Sequence, residues 1–117
     1  MRVYKPKIVE KPWGREIWVA MENEYGGKIL EIKKGFTTSL HYHTKKKETM
    51  FVLDGVLRVY TPKETYELNS GESITVEPGD VHRLEAVTDV RLIEFSTPEL
   101  KDTVRVEDYY NRPKEDF

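Results

Sequence analysis

The chain has 117 residues, with 19 Lys and Arg against 21 Asp and Glu for a net charge of −2. A single domain of this size buries roughly 65% of the surface its unfolded chain exposes, so a real core and an enclosed pocket are within reach. The charges are interspersed rather than massed into a basic field, no run of about 18 apolar residues occurs and the amino terminus has no apolar signal core, so no nucleic acid or membrane partner is expected and a cytoplasmic setting is.

Cysteine is absent, which excludes a disulfide framework, a thiolate nucleophile and any Cys-based zinc or iron–sulfur site. Any metal must be held by nitrogen and oxygen. Gln is absent as well and 34% of residues are charged, a composition resembling the thermophile preference for Lys and Glu over thermolabile side chains.

In chain order, residues 1–15 hold Pro6, Pro12 and the Trp13-Gly14 pair and read as an extended arm. From there to residue 97 the chain is a series of short apolar runs with turn residues between them and no sustained helical period. Strands are predicted at Glu16–Met21, Lys28–Lys33, Thr38–His43, Thr49–Leu53, Val56–Tyr60, Thr65–Leu68, Ser73–Val76, His82–Ala86 and Val90–Phe95. Gly, Pro, Asn and Asp clusters separate them, and close, even spacing of this kind predicts an antiparallel sandwich or barrel. Asp54-Gly55, between two apolar arms, predicts a type I′ hairpin. The arm over residues 50–53 is apolar on both faces, which suggests one face toward the interior and the other toward a second sheet or a second copy, hence a homodimer. Residues 98–117 carry ten charged side chains and read as a polar tail, a surface strand or short helix fraying at its end.

All three histidines fall in one constellation, His41-x-His43-x4-Glu48 followed 34 residues after Glu48 by His82. On a strand His41 and His43 share a face with Thr37 and Ser39. Glu48 lies an odd number of residues beyond His43, so it joins them only if Thr44–Lys47 forms a turn. His82 follows the turn Pro78-Gly79-Asp80 and shares its inward face with Leu84 and Ala86. Three imidazoles and a carboxylate beside turns at one barrel mouth read as a metal site. The lysine run Lys45-Lys46-Lys47 reads as a solvated turn, and Trp13 and Trp18 as core or arm-packing residues.

These residues resemble the two motifs of the cupin superfamily. Gly35, His41, His43, Glu48 and Gly55 meet the first, Gly-x5-His-x-His-x4-Glu-x6-Gly, without a gap. Gly71, Gly79 and His82 meet the second, Gly-x5-Pro-x-Gly-x2-His-x3-Asn, with Glu77 where Pro is usual and Ala86 where Asn is usual. Lys11-Pro12-Trp13-Gly14-Arg15-Glu16 and Ser96-Thr97-Pro98-Glu99-Leu100 further resemble the ends of small cupins related to the cupin half of type II phosphomannose isomerases.

The resemblance implies an all-β double-stranded β-helix, or jelly roll, as one domain over residues 1–117, with an arm over 1–15, a barrel over 16–97 and a tail over 98–117. It also implies a dimer and one divalent metal on His41, His43, Glu48 and His82. That donor set suits manganese, iron, nickel, cobalt or zinc, and an octahedral ion would keep two positions open. A sugar or sugar-phosphate isomerase or epimerase is the leading expectation. An iron-dependent dioxygenase and a non-catalytic cupin binding a small metabolite are the alternatives. Thr37, Ser39, Tyr42, Glu77 and Arg83 lie near the motifs, yet none stands as an evident acid–base residue, and no inward Arg or Lys is placed for a phosphate.

Overall fold

The computed structural model describes residues 1–107 and 115–116 of the chain. Among the described residues twelve strands form, in the order β1 (Lys7–Lys11), β2 (Gly14–Met21), β3 (Gly26–Ile32), β4 (Leu40–Tyr42), β5 (Glu48–Asp54), β6 (Leu57–Tyr60), β7 (Thr65–Leu68), β8 (Ser73–Val76), β9 (Arg83–Ala86), β10 (Val90–Ser96), β11 (Thr103–Glu107) and β12 (Glu115–Asp116). All nine predicted strands are present, two with the predicted bounds and the others shifted by one or two residues at one or both ends. Residues 7–11, read as part of the arm, pair along their whole length with β2. The parts of the expected tail at 108–114 and 117 lie outside the described residues. Among the described residues no helix is long and apolar enough to cross a membrane.

The strands pack as two layers. One is a six-stranded sheet in the order β1-β2-β3-β10-β5-β8. The other consists of β12-β11-β4 and β7-β6-β9, joined by bridges at Thr37 and Glu85 and at His41 and His82. The layers face each other as a jelly roll and are not one continuous hydrogen-bonded cylinder.

Period-2 alternation drives this arrangement, since successive side chains on a strand point to opposite faces. Leu30 and Ile32 of β3, Met50 and Val52 of β5, Leu57 and Val59 of β6, Leu84 and Ala86 of β9 and Val90 and Leu92 of β10 all point between the layers into one core cluster. Each large aliphatic side chain buried there contributes about 1.5–3 kcal/mol. Trp13 joins that cluster, and Trp18 is buried as well.

The hairpin expected at Asp54-Gly55 does not form. β5 pairs with β10 and β8, whereas β6 pairs with β7 and β9. The chain therefore crosses from one layer to the other at this point. A hairpin would set Leu57 and Val59 beside Met50 and Val52 in one sheet, while the crossing lets them meet face to face and close the core. The turn packs against residues 87–89, with Val56 N–H donating to Thr88 Oγ1 at 3.0 Å and Val87 N–H to the Val56 carbonyl at 3.0 Å. Gly55 has φ +93°, and a Cβ there would stand 2.1 Å from the Asp89 carbonyl oxygen, so this close approach of two backbones needs glycine. Tertiary packing overrides a local turn preference.

Candidate metal centre

The three histidines come from the edge where the two halves of the second layer meet. His41 lies on β4, His43 one residue past its end and His82 one residue before β9. His41 and His82 exchange backbone hydrogen bonds of 3.0 and 2.9 Å, which sets their rings side by side with centroids 4.4 Å apart. The chain then turns at residues 44–45 and re-enters the opposite sheet with Glu48 as the first residue of β5. The turn that strand parity demanded is present, and it carries Glu48 to the other layer, from which its carboxylate faces back. Glu48 Oε1 lies 3.4 Å from His43 Nε2 and 3.5 Å from His82 Nε2.

Each imidazole is oriented through its other nitrogen. His41 Nδ1 lies 2.8 Å from the Ser39 carbonyl, His43 Nδ1 2.5 Å from the Asp102 carbonyl and His82 Nδ1 2.8 Å from the Asp80 carbonyl. A carbonyl only accepts, so each ring carries a proton on Nδ1, and a neutral ring held this way turns its Nε2 lone pair inward. Ligand atoms of His41, His43 and His82 all lie within 4.8 Å of one another, a cluster that could hold a metal ion. His43 Nε2 and His82 Nε2 are buried with no hydrogen-bond partner. A backbone acceptor on the far nitrogen is how metal-ligating histidines are held, and orphaned inward nitrogens fit a cation as their missing partner.

The expected neighbours of the histidines are partly revised. Ser39 does share the His41 face, its Oγ 3.2 Å from His41 Nδ1, but Thr38 rather than Thr37 lines the cavity. The strand is irregular here, and β4 itself covers Leu40–Tyr42 only.

The lysine run is not simply a solvated turn. Lys45 and Lys47 are exposed, but Lys46 is 2% exposed and points into the molecule. Its Nζ lies 2.9 Å from Glu48 Oε2 and 3.1 Å from Glu94 Oε2. Burial alone would lower the Lys46 pKa, but the two carboxylates outweigh it and raise it, keeping the ammonium charged. Burial likewise pushes the Glu48 carboxyl up, yet the nearby His43 and His82 rings and the Lys46 charge hold it well below the usual carboxylate range. Glu94 goes the other way, raised by burial and by the Glu48 charge against the pull of Lys46 and Lys28. Burial, helped by the positive charge His82 and His43 would carry, holds His41 well below the ordinary imidazole value.

The centre opens on a cavity of about 60 Å³ lined also by Glu16, Lys28, Glu94, Thr103 and Arg105. Inward cations, which the sequence reading could not place, are therefore present: Lys28, Lys46 and Arg105 are all buried. Lys28 Nζ pairs with Glu16 Oε1 at 3.3 Å and donates to the Leu100 carbonyl at 3.1 Å. The signal for two of the missed residues was their phase. Lys28 alternates with Leu30 and Ile32, and Glu94 with Val90 and Leu92, so each is a charge in register with a buried apolar stripe.

A double-stranded β-helix holding three imidazoles above a buried carboxylate defines an all-β protein with a candidate metal centre. Residues 28–96 match the Cupin domain family, and the chain belongs to it. It is 33% identical over 109 residues to the mannose-1-phosphate guanylyltransferase ManC of Salmonella typhimurium. It is 30% identical over 109 residues to the xanthan biosynthesis protein XanB of Xanthomonas campestris pv. campestris. In both cases 89% of this chain is aligned, but it spans only 23% of the length of these relatives. The anticipated likeness to the cupin half of larger enzymes is in line with that. Among solved structures, KdgF from Halomonas sp. superposes with a TM-score of 0.74 at 19% identity, over 85% of this chain and 90% of that one, a likeness of fold.

Proposed function

We propose that this cupin holds one divalent metal on His41, His43, Glu48 and His82 and uses it on a sugar or sugar phosphate, in an isomerase- or epimerase-like reaction. The observation that carries the reading is the shared ring orientation: three Nδ1 atoms face backbone carbonyls, and ligand atoms of the three rings lie within 4.8 Å of one another, with Glu48 Oε1 3.4 Å from His43 Nε2. Manganese, iron, nickel, cobalt and zinc all suit such donors. A bound ion would supply Lewis acidity for polarising a hydroxyl or carbonyl oxygen. The protein residues lining the cavity would orient that oxygen and limit the water that reaches it. The relation to ManC and XanB supports a sugar as the small-molecule ligand. Incubation of the metal-loaded protein with mannose, fructose and their phosphates, followed by NMR for hydrogen exchange at the carbons flanking the carbonyl, tests it. Exchange abolished by His43→Ala supports catalysis, and no exchange with any sugar contradicts it.

A second reading, metabolite binding without catalysis, is favoured by one observation. Lys28 with Glu16, and Lys46 with Glu48 and Glu94, are already ion-paired, so these groups are occupied as acid–base candidates. Saturable sugar binding without exchange would select it. Oxygen consumption by the iron-loaded protein would select the dioxygenase alternative instead.

The proposed setting is the cytoplasm, with residues 1–117 as one domain and the protein a homodimer. Support for the dimer is an apolar row on the outer face of the six-stranded sheet, where Ile8 faces Ile17, Ile17 faces Ile29, Ile29 faces Ile93 and Ile93 faces Phe51 across successive strands. Sedimentation of the wild type and of Ile93→Glu tests this. A dimer made monomeric by the charge is the expected result, and a monomeric wild type contradicts it.

A further inference from the structure

The two oxygens of Glu48 have different neighbours. Oε1 faces His43 Nε2 and His82 Nε2, while Oε2 is held by the Lys46 ammonium in an ion pair of 2.9 Å that is not aligned as a hydrogen bond. Lys46 is fixed from two directions. Its backbone N–H donates to Asp102 Oδ2 at 3.0 Å, and its Nζ is anchored on the far side by Glu94 Oε2 at 3.1 Å. An ammonium brought to 2% exposure gives little net stability, because desolvation offsets most of the attraction to its carboxylates. Such a group is better explained by what it does to the carboxylate it touches.

We propose that Lys46 is a positioning residue which occupies Glu48 Oε2, so that Glu48 offers a metal one oxygen and not two. The proposal rests on the metal-binding reading above and deepens it. A carboxylate with both oxygens free can bind an ion through either one or both. Three imidazoles and a single oxygen would fill four positions of an octahedral ion and leave two for water or for neighbouring oxygens of a substrate. A second Glu48 oxygen would take one of the two. Lys46 stands on the side of the carboxylate away from the imidazoles, where it can prevent this without touching substrate. Arg in its place would keep a cation on Oε2, whereas Met would keep the length of the side chain and remove the charge.

The test is the water-proton relaxivity of the Mn(II)-loaded protein, which counts waters bound directly to the ion. Lys46→Met is expected to lower the relaxivity per bound Mn(II) to about half the wild-type value, as one of two waters is replaced by Glu48 Oε2. Lys46→Arg is expected to restore it. The double variant Lys46→Met/Glu94→Gln, which neutralises the second carboxylate and so relieves the fold, is expected to show the same halving. Full Mn(II) binding with unchanged relaxivity in the Met variants overturns the role of Lys46 and leaves the metal site standing. A wild type that takes up no Mn(II), Ni(II) or Zn(II) overturns the metal reading itself. A crystal structure of the Mn(II)-loaded wild type decides the matter without any variant: Glu48 bound through Oε1 alone, with Lys46 still on Oε2, is expected, and Glu48 bound through both oxygens overturns the proposal.

Discussion

His43 Nδ1 donates to the backbone carbonyl of Asp102 at 2.5 Å, a contact between residues 59 apart in the chain. The same aspartate clamps the turn between His43 and Glu48 with its side chain. Its Oδ1 accepts from Thr44 Oγ1 at 2.7 Å, and its Oδ2 from the N–H groups of Lys45 and Lys46 at 2.6 and 3.0 Å. One residue from the segment between β10 and β11 thus orients an imidazole through its main chain and holds the turn that brings in Glu48 through its carboxylate.

Asp102→Ala keeps the carbonyl and removes the clamp. Its expected cost is about 1–2 kcal/mol, since several hydrogen bonds to a charged group are lost at a site open to solvent screening. Metal affinity should fall roughly 10–100-fold, as for other groups that support ligands from behind. Burial opposes ionisation of Asp102, but its hydrogen bonds with Thr44, Lys45 and Lys46 outweigh that and hold its pKa at about 2 against an ordinary 3.8. A carboxylate depressed in the folded state stabilises above its unfolded value and loses that contribution as pH falls through the folded one. The wild-type advantage over Asp102→Ala should therefore be full at neutral pH and shrink between about 4 and 2, as urea unfolding at stepped pH would show.

Lys46→Ala leaves Glu48 and Glu94 buried beside each other without their cation. The expected destabilisation of metal-free protein is about 3–5 kcal/mol. Neutralising the second carboxylate as well, in Lys46→Ala/Glu94→Gln, should recover a large part of it. Chemical denaturation of the variants checks this, and additive costs would contradict the shared ion pair.

Two glycines separate backbone conformation from close packing. Gly79 has φ +88° with nothing within 4 Å of a built Cβ, whereas Gly55 has φ +93° and a Cβ 2.1 Å from the Asp89 carbonyl oxygen. Gly79→Ala should cost about 1–2 kcal/mol, the strain of a left-handed residue. Gly55→Ala should cost clearly more, because the layer-crossing turn must also move. Equal melting temperatures for the two would contradict the account of the corner.

His41 resists protonation in the fold, because burial opposes it and so would any charge on His82 or His43. A chain that takes up the proton only when unfolded is stabilised above the unfolded value of about 6.5 and loses stability as pH falls below it. An NMR titration of the metal-free protein should place the His41 midpoint well below 6.5. A midpoint at or above that value would contradict the buried, neutral ring.

The sequence made the fold legible because alternation and turn residues are local signals, and nine strands could be read from them. It made His41, His43, Glu48 and His82 legible because their spacing is rare, and parity alone required the turn after His43. Asp54-Gly55 misled because a turn preference of a few residues cannot say which sheet the next strand joins. Lys46 was hidden inside a run whose neighbours are exposed. Asp102 and Arg105 reach the site from a segment whose core-forming pattern is little more than Val104, Val106, Tyr109 and Tyr110, through contacts that exist only once the chain has folded. Lys28 and Glu94 could have been found, since each interrupts an apolar stripe in phase.

The measurement that bears most directly on the metal centre is the metal content of wild type and His43→Ala after equilibration with Mn(II), Ni(II), Co(II), Zn(II) or anaerobic Fe(II) and removal of free ion. About one equivalent per chain in the wild type, falling to near zero in a folded His43→Ala, is expected for three imidazoles and a carboxylate sharing one ion. A folded wild type that retains none of these ions would contradict the account.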